Sequence, residues 1–268
     1  MSRPLRHLQQ NTFRLNQPHE VIDFFLDQKI DIANLQEINV PIDNQDLFSN
    51  ICHKAGLHYI QELSWFDVDH NQALGNGILS RHPIVDYQCT YYNGTNFGPK
   101  HITTNQLIGP MHDSEGQEIK IPGSRGIKYA IISSTILHAL VQINHKLIRV
   151  INTHFPVSDN CTEIIPMYEM SQLIHSQITH SSNLPIIFAG DLNIRSSSYS
   201  VQLLSRVMDC HTQDITDTLS ISHPVRSNDF PEGLAVDHVF SRGLSHIKTN
   251  THQVDFSDHQ ALISDFTL

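Results

Sequence analysis

Leu184-Pro185-Ile186-Ile187-Phe188-Ala189-Gly190-Asp191-Leu192-Asn193 is an apolar run that breaks off in glycine, carboxylate and amide. A short apolar stretch bounded by such punctuation reads as a buried strand. Gly190 lets the backbone turn sharply, and Asp191 and Asn193, two positions apart, leave the strand end on the same side. A carboxylate and an amide so placed can hold a hard cation, a water or a phosphate oxygen. Many strands end in Gly-Asp. This one gains weight because other apolar strands along the chain carry polar groups of matching kind at their ends.

Working outward, residues 5–10 read as a strand ending at Asn11, and Ile32-Ala33-Asn34-Leu35 as a short strand ending in Gln36-Glu37. Between them a helix over 18–28 begins at Pro18 and buries Val21, Ile22, Phe24, Phe25 and Leu26. A second helix over 44–55 closes on Gly56, residues 57–63 return as a strand, and a strand over 76–80 runs into Ser80-Arg81-His82-Pro83. Residues 88–124, rich in Asn, Gly, Thr, His and Pro, read as long loops with short strands. From Lys128 to Thr153 the alternation predicts two antiparallel strands joined at Asn144-His145-Lys146, the second ending in Asn152-Thr153-His154. Helices near 162–180 and 199–208 flank the Asp191 strand. Strand-like segments accompany Val236-Asp237-His238-Val239-Phe240 and Asp258-His259. This order predicts an α/β fold of two packed sheets flanked by helices, rather than a barrel or a single doubly wound sheet. No linker, repeat or low-complexity tract divides the chain, so residues 1–268 read as a single domain.

Composition narrows the classes. Apolar residues make up 39% of the chain, enough for a sizeable core. No run is long enough to cross a bilayer and none has signal-peptide character, so the expectation is a soluble, cytoplasmic protein. Cys52, Cys89, Cys161 and Cys210 lie too far apart for a zinc or disulfide pattern and read as reduced packing residues. A net charge of −10 argues against a tight, non-specific coat for long duplex nucleic acid. It leaves a nuclease open, because metal-holding carboxylates enter the same sum. Nineteen histidines include no zinc-protease spacing. There is no Gly-x-Ser-x-Gly elbow and no Walker-type phosphate loop.

The strand ends suggest metal-assisted hydrolysis. Glu37 suits a Mg²⁺ ligand, since that ion takes one or two protein carboxylates and keeps several waters. Asn11 could hold a nearby ligand or phosphate oxygen. Read alone, Glu37 equally suits a surface charge and Asn11 a turn. Asp191 could accept a proton from an attacking water or align it, while Asn193 donates to a phosphoryl oxygen and His154 to the same phosphate. Asp237 and His259 could form a carboxylate–imidazole pair, with Asp258 reaching a metal or its water. Arg125, in Gly123-Ser124-Arg125-Gly126, and Arg81 are candidate phosphate contacts, although Arg81 could equally be structural.

In order along the chain, the set is Asn11, Leu35-Gln36-Glu37, Gly77-Ile78-Leu79-Ser80-Arg81, Asn152-Thr153-His154, Gly190-Asp191-Leu192-Asn193, Asp237 and Ser257-Asp258-His259. It resembles the endonuclease/exonuclease/phosphatase superfamily of DNase I-like nucleases, deadenylases, neutral sphingomyelinases and inositol 5-phosphatases. The resemblance implies a four-layer α/β sandwich with two central mixed β-sheets. It implies Glu37 on Mg²⁺ (with Mn²⁺ able to substitute), Asn11 and Asp258 near the metal, and Asp191 on the attacking water. Asn193 and His154 would bind phosphate, and His259, oriented by Asp237, would contact the scissile phosphate. Gln9-Gln10 stand where relatives more often have a threonine and an aromatic or small residue. The Trp-Cys-Asp-Arg segment of inositol 5-phosphatases is missing. The implied activity is a Mg²⁺-dependent phosphodiesterase acting by in-line attack of water, most readily of nuclease type on nucleic acid or a nucleotide-derived substrate. A phospholipid phosphodiesterase or phosphatase is the alternative, for which Asn96-Phe97-Gly98-Pro99 and Asp229-Phe230-Pro231 are the candidate apolar loops. A non-catalytic interaction module of the same fold is the other. No protein partner is predicted.

Overall fold

The computed structural model describes residues 3–67, 71–92, 129–130, 134–181 and 183–268. One mixed sheet contains β1 (Leu5–Asn11), β2 (Ile32–Pro41), β3 (His58–Asp67), β4 (Gln72–Ser80), β6 (Tyr129–Ala130), β12 (Ser245–His252) and β13 (Ala261–Thr267), in the order β12-β13-β1-β2-β4-β3-β6. The other contains β5 (Ile84–Tyr92), β7 (Ser134–Ile143), β8 (Lys146–His154), β9 (Ile186–Asp191), β10 (Asp209–Cys210) and β11 (Asp237–Arg242), in the order β10-β11-β9-β8-β7-β5. Only two pairs among the described strands run parallel, β1 with β2 and β8 with β9. Both lie at the centre of their sheets.

Burial sorts the side chains into four layers. Leu5, Ile32, Ile78, Val141, Val150, Ile187, Val239 and Phe266 fill the space between the sheets. The outer face of the first sheet, with Leu8, Ala33 and Ile263, packs under α1 (Pro18–Asp27) and α2 (Leu47–Lys54). The outer face of the second, with Ile151, Phe188 and Phe240, packs under α3 (Ile165–Thr179) and α4 (Tyr199–Leu204). In α3, Met167, Met170, Ile174 and Ile178 recur at helical spacing and are all buried. Each such fully buried side chain stabilises the fold by roughly 1.5–3 kcal/mol. The sandwich expected from the alternation of strands and helices is the one observed.

Several boundaries differ from the sequence reading. β2 does not stop at Gln36-Glu37 but runs on to Pro41 across a register shift against β4 between Leu35 and Ile38. Glu37 sits in that bulge with φ +54°. A bulge kinks a strand and re-aims one side chain, an outcome that strand periodicity does not reveal. The helix expected over 44–55 begins as a 3-10 turn at Ile42–Asn44, and α2 proper starts at Leu47. β5 is a largely exposed edge strand, and α5 (Pro224–Asp229) has no buried face. Neither carries an apolar pattern that would announce it. Residues 93–124 of the expected loop region lie outside the described residues.

Gly190 is not a turn residue. It lies inside β9, where an added Cβ would stand 2.2 Å from the Thr153 carbonyl oxygen. The close approach of β8 and β9 requires its missing side chain. The four cysteines are free, and among the described residues no helix is long and apolar enough to cross a membrane.

Candidate active site

The strand register aligns three of the candidate residues. Asp191 pairs with Asp237 on β11 and with His154 on β8, so the three stand in a row at one end of the second sheet. In the first sheet Asn11 ends β1 and faces Gln36, directly before Glu37. The sheets bring the two rows together: Asn11 Nδ2 donates to Asp191 Oδ2 (3.0 Å) and to Glu37 Oε1 (3.3 Å).

His259 lies in the link between β12 and β13. Ser257 Oγ donates to Asn11 O (2.6 Å) and accepts from His259 N (3.0 Å), fixing the turn that aims the imidazole inward. His259 Nδ1 lies 2.8 Å from Asp237 Oδ2, and its Nε2 lies 3.8 Å from Asp191 Oδ2. His154 Nε2 lies 3.4 Å from the same oxygen. The other oxygen of Asp191 accepts from Asn193 N (2.9 Å), which holds Asn193 at φ +52° while its Nδ2 donates to Phe155 O (3.0 Å). Asp191 Oδ2 therefore faces one amide and two imidazoles.

Burial and charge act against each other here. Burial disfavours a charged His259, but Asp237, Asp191 and Asp258 outweigh it and hold the imidazole up at about 10. Burial would likewise raise Asp237, yet His259 holds its carboxyl below the usual range. Asp191 goes the other way: burial and the Asp237 charge raise it, against His154, His259 and Asn11. The result is an imidazolium clamped on one carboxylate and facing a second, more easily protonated one.

Asp191, Asp237 and His259 lie close enough to enclose a metal ion. The same three side chains also form an ion-paired set, with the His259 imidazole between the two carboxylates. Hard oxygen donors converge on the neighbouring side. Glu37 Oε2 accepts from Arg14 N (3.2 Å), and Asp258 feels the Glu37 charge, which together with burial raises its carboxyl. Two partly exposed carboxylates suit a hard cation such as Mg²⁺. Asn11 turns its nitrogen toward Glu37 and Asp191, while its oxygen accepts from Phe13 N (3.0 Å). In this rotamer it orients the carboxylates and does not present an oxygen ligand.

The two arginines part company with the rest. Arg81 follows Ser80, which pairs with Ile32 at the start of β2, away from the bulge at Glu37. Its guanidinium donates to Ile30 O (2.6 Å) and Leu26 O (3.2 Å) and lies over the Phe25 ring. It is a strut for the end of α1, not a phosphate contact. Arg125 lies outside the described residues.

The sequence reading assigned no role to several further buried polar residues. Gln9 Nε2 donates to Asp237 Oδ1 (3.1 Å), and Gln9 pairs reciprocally with Gln36. Gln36 Nε2 donates to Asn152 Oδ1 (2.6 Å), whose own Nδ2 reaches Leu35 O and Gly77 O. Asn34 Nδ2 donates to Ile151 O (2.7 Å) and Ala189 O (2.9 Å) of the facing sheet. Their signal in the sequence is period-two polarity, His7-Gln9-Asn11 in β1 and Asn34-Gln36 in β2. His223 Nε2 lies 3.6 Å from Asp258 Oδ2, with its ring edge-on to His259.

A two-sheet sandwich with this set at its rim belongs to a known class. Residues 8–259 match the model of the Endonuclease/Exonuclease/phosphatase family, and the chain is a member of that family. Its members are hydrolases of phosphoester bonds, typically dependent on a divalent metal. A UPF0294 protein of Vibrio campbellii is 30% identical over 125 residues, which cover 47% of this chain and 42% of the relative. The match thus spans under half of that relative's length. The structure of an endonuclease/exonuclease/phosphatase from Beutenbergia cavernae is similar with a TM-score of 0.69 at 17% identity, covering 100% of this chain and 72% of the other. D. rerio TDP2 complexed with single strand DNA product gives 0.64 at 12% identity, covering 99% of each chain. A mannosyl-6-phosphatase of Bacteroides thetaiotaomicron gives 0.64 at 15%, covering 98% of this chain and 100% of that one. At these identities the likeness is one of fold.

Proposed function

We propose that this chain is a Mg²⁺-dependent phosphodiesterase, with residues 1–268 acting as one catalytic domain. The observation that carries the reading is the convergence on Asp191 Oδ2 of Asn11, His154 and His259, with His259 clamped by Asp237. A bound Mg²⁺ at Glu37 and Asp258 would supply Lewis-acid polarisation of the phosphorus and charge neutralisation at the leaving oxygen. Asp191 aligns the attacking water and takes its proton; its upward-shifted carboxyl makes it a more effective base than an ordinary aspartate. His259, kept cationic by Asp237, faces the negative charge that grows on the phosphoryl oxygens. His154 and the second N–H of the Asn193 amide complete the donors on that side.

A substrate of nuclease type, nucleic acid or nucleotide-derived, fits better than a lipid. Of the two candidate apolar loops, 96–99 lies outside the described residues, and Phe230 of the other is half-buried and lies beneath Arg195. The test is hydrolysis of bis-p-nitrophenyl phosphate under fixed Mg²⁺. Asp191→Asn and His259→Ala are each expected to lower kcat by about a thousandfold or more with the fold intact by circular dichroism. Near-unchanged turnover in either variant sinks the proposal.

A further inference from the structure

Beside the catalytic set lies a cavity that hydrolysis itself does not use. Arg195 comes two residues after Asn193, and its guanidinium carbon lies 4.6 Å from the centroid of the Phe230 ring. Arg195 and Phe230 line both of two adjoining cavities, of about 580 Å³ and 460 Å³, so the stack stands between them. Volumes of several hundred Å³ are the usual scale of small-ligand sites.

The larger cavity is joined to the catalytic set. Its Cys161 packs with Phe230 against Leu219, Leu234 and Val236. Val236 directly precedes Asp237, and its carbonyl accepts from Leu192 N (2.9 Å), directly after Asp191. Burial pushes the Cys161 thiol up to about 11, with Asp191 acting in the same sense and Arg195 against it, which puts Cys161 within electrostatic reach of both. Asn160 and Cys161 are both held at positive φ, a costly conformation that persists only where the surroundings fix it.

The lining suits a planar group better than a second phosphate. Among the described residues Arg195 is the one cation in the lining, beside the carboxylates of Glu163 and Asp229. Glu163 is already committed to Tyr199 N (3.0 Å) and Ser200 N (2.7 Å). Ser198 Oγ, also in the lining, is buried without a hydrogen-bond partner. One guanidinium plane beside the Asp229 carboxylate matches a heterocycle with N–H groups on its edge. Bases stack readily on arginine planes and aromatic rings.

Resting on the hydrolase reading, we propose that Arg195 laid on Phe230 is a platform for a nucleobase, whose nucleotide places its phosphate at Asp191 and Asn193. The substrate class is then nucleotidyl, not lipid.

The test is calorimetric titration of the full chain, with Mg²⁺ present, by AMP and by ribose 5-phosphate. AMP is expected to bind about tenfold more tightly, the usual scale for stacking one base. Arg195→Ala should bring AMP down to the affinity of ribose 5-phosphate, and Phe230→Ala should do most of the same. Arg195→Lys, which keeps the charge but not the plane, should also lose the preference. Equal affinities in the unmodified chain, binding of neither compound, or a preference that survives Arg195→Ala overturns the platform. An intact, Arg195-dependent preference for AMP in a chain that hydrolyses no phosphodiester upholds the platform and rejects the hydrolase reading.

Discussion

His259 Nδ1 and Asp237 Oδ2 lie 2.8 Å apart with both side chains buried, and this contact holds the imidazole up at about 10 and the carboxyl below its usual range. The folded His259 value exceeds the ordinary 6.5, so its stabilisation is complete below about pH 6.5 and fades as pH climbs through about 10. The Asp237 contribution has the opposite sense: it is present above the ordinary carboxylate range and lost as pH falls through its lowered value. The urea midpoint should therefore decline between pH 7 and pH 10.5, and Asp237→Asn should flatten most of that decline. The alkaline limb of kcat/KM should move to lower pH in the same variant. An unchanged alkaline limb would show that Asp237 does not control the imidazole.

Gln9 is a positioning residue whose loss should be felt in two ways. Gln9→Ala removes a donor from buried Asp237 and leaves Gln36 without its partner. Buried groups left unsatisfied cost about 1–3 kcal/mol, here a few degrees or more in Tm. In addition, kcat should fall about tenfold with KM little changed, because the imidazole loses its fixed orientation. A drop in Tm with unchanged kcat would reduce Gln9 to a packing role.

The metal reading predicts that a chelator abolishes turnover and that Mg²⁺ or Mn²⁺ restores it. Glu37→Gln keeps the shape of the side chain and removes the charge. It should raise the Mg²⁺ concentration for half-maximal activity at least tenfold, and Mn²⁺ affinity measured by calorimetry should weaken in step. Chelator-resistant activity would refute the role.

Arg81→Gln separates a strut from a phosphate contact. Loss of its bonds to Leu26 O and Ile30 O should lower Tm by several degrees. KM for any phosphodiester should stay the same, because the side chain lies by the start of β2, away from the bulge at Glu37. A rise in KM without a fall in Tm would restore the phosphate assignment.

The sequence carried the architecture because the layers follow from period and punctuation. Ile186–Phe188 is an apolar run, Ile148, Val150 and Ile151 are apolar around Arg149, and Met167, Met170, Ile174 and Ile178 recur at helical spacing. Candidate site residues were visible where a polar group interrupts a strand end, as at Asp191, Asn11 and His154. Other features were hidden for definite reasons. The bulge at Glu37 depends on pairing with β4, which no local pattern encodes. Gly190 suggested a turn because a close backbone approach and a turn both favour glycine. Arg81 suggested phosphate because its true partners are backbone carbonyls, which have no signature in sequence. The Arg195–Phe230 stack joins residues 35 positions apart, so only the folded chain brings it into view.

The side-chain amides of Asn34 and Asn152 act as cross-ties, each donating to backbone carbonyls of the opposing sheet. The proposed catalytic groups are divided between those sheets, so their alignment is only as good as the spacing these ties maintain. Mild denaturant that lets the two halves breathe should extinguish turnover before the helical signal declines. Hydrolysis would then serve as a gauge of the gap between the sheets, more sensitive than any measure of secondary structure.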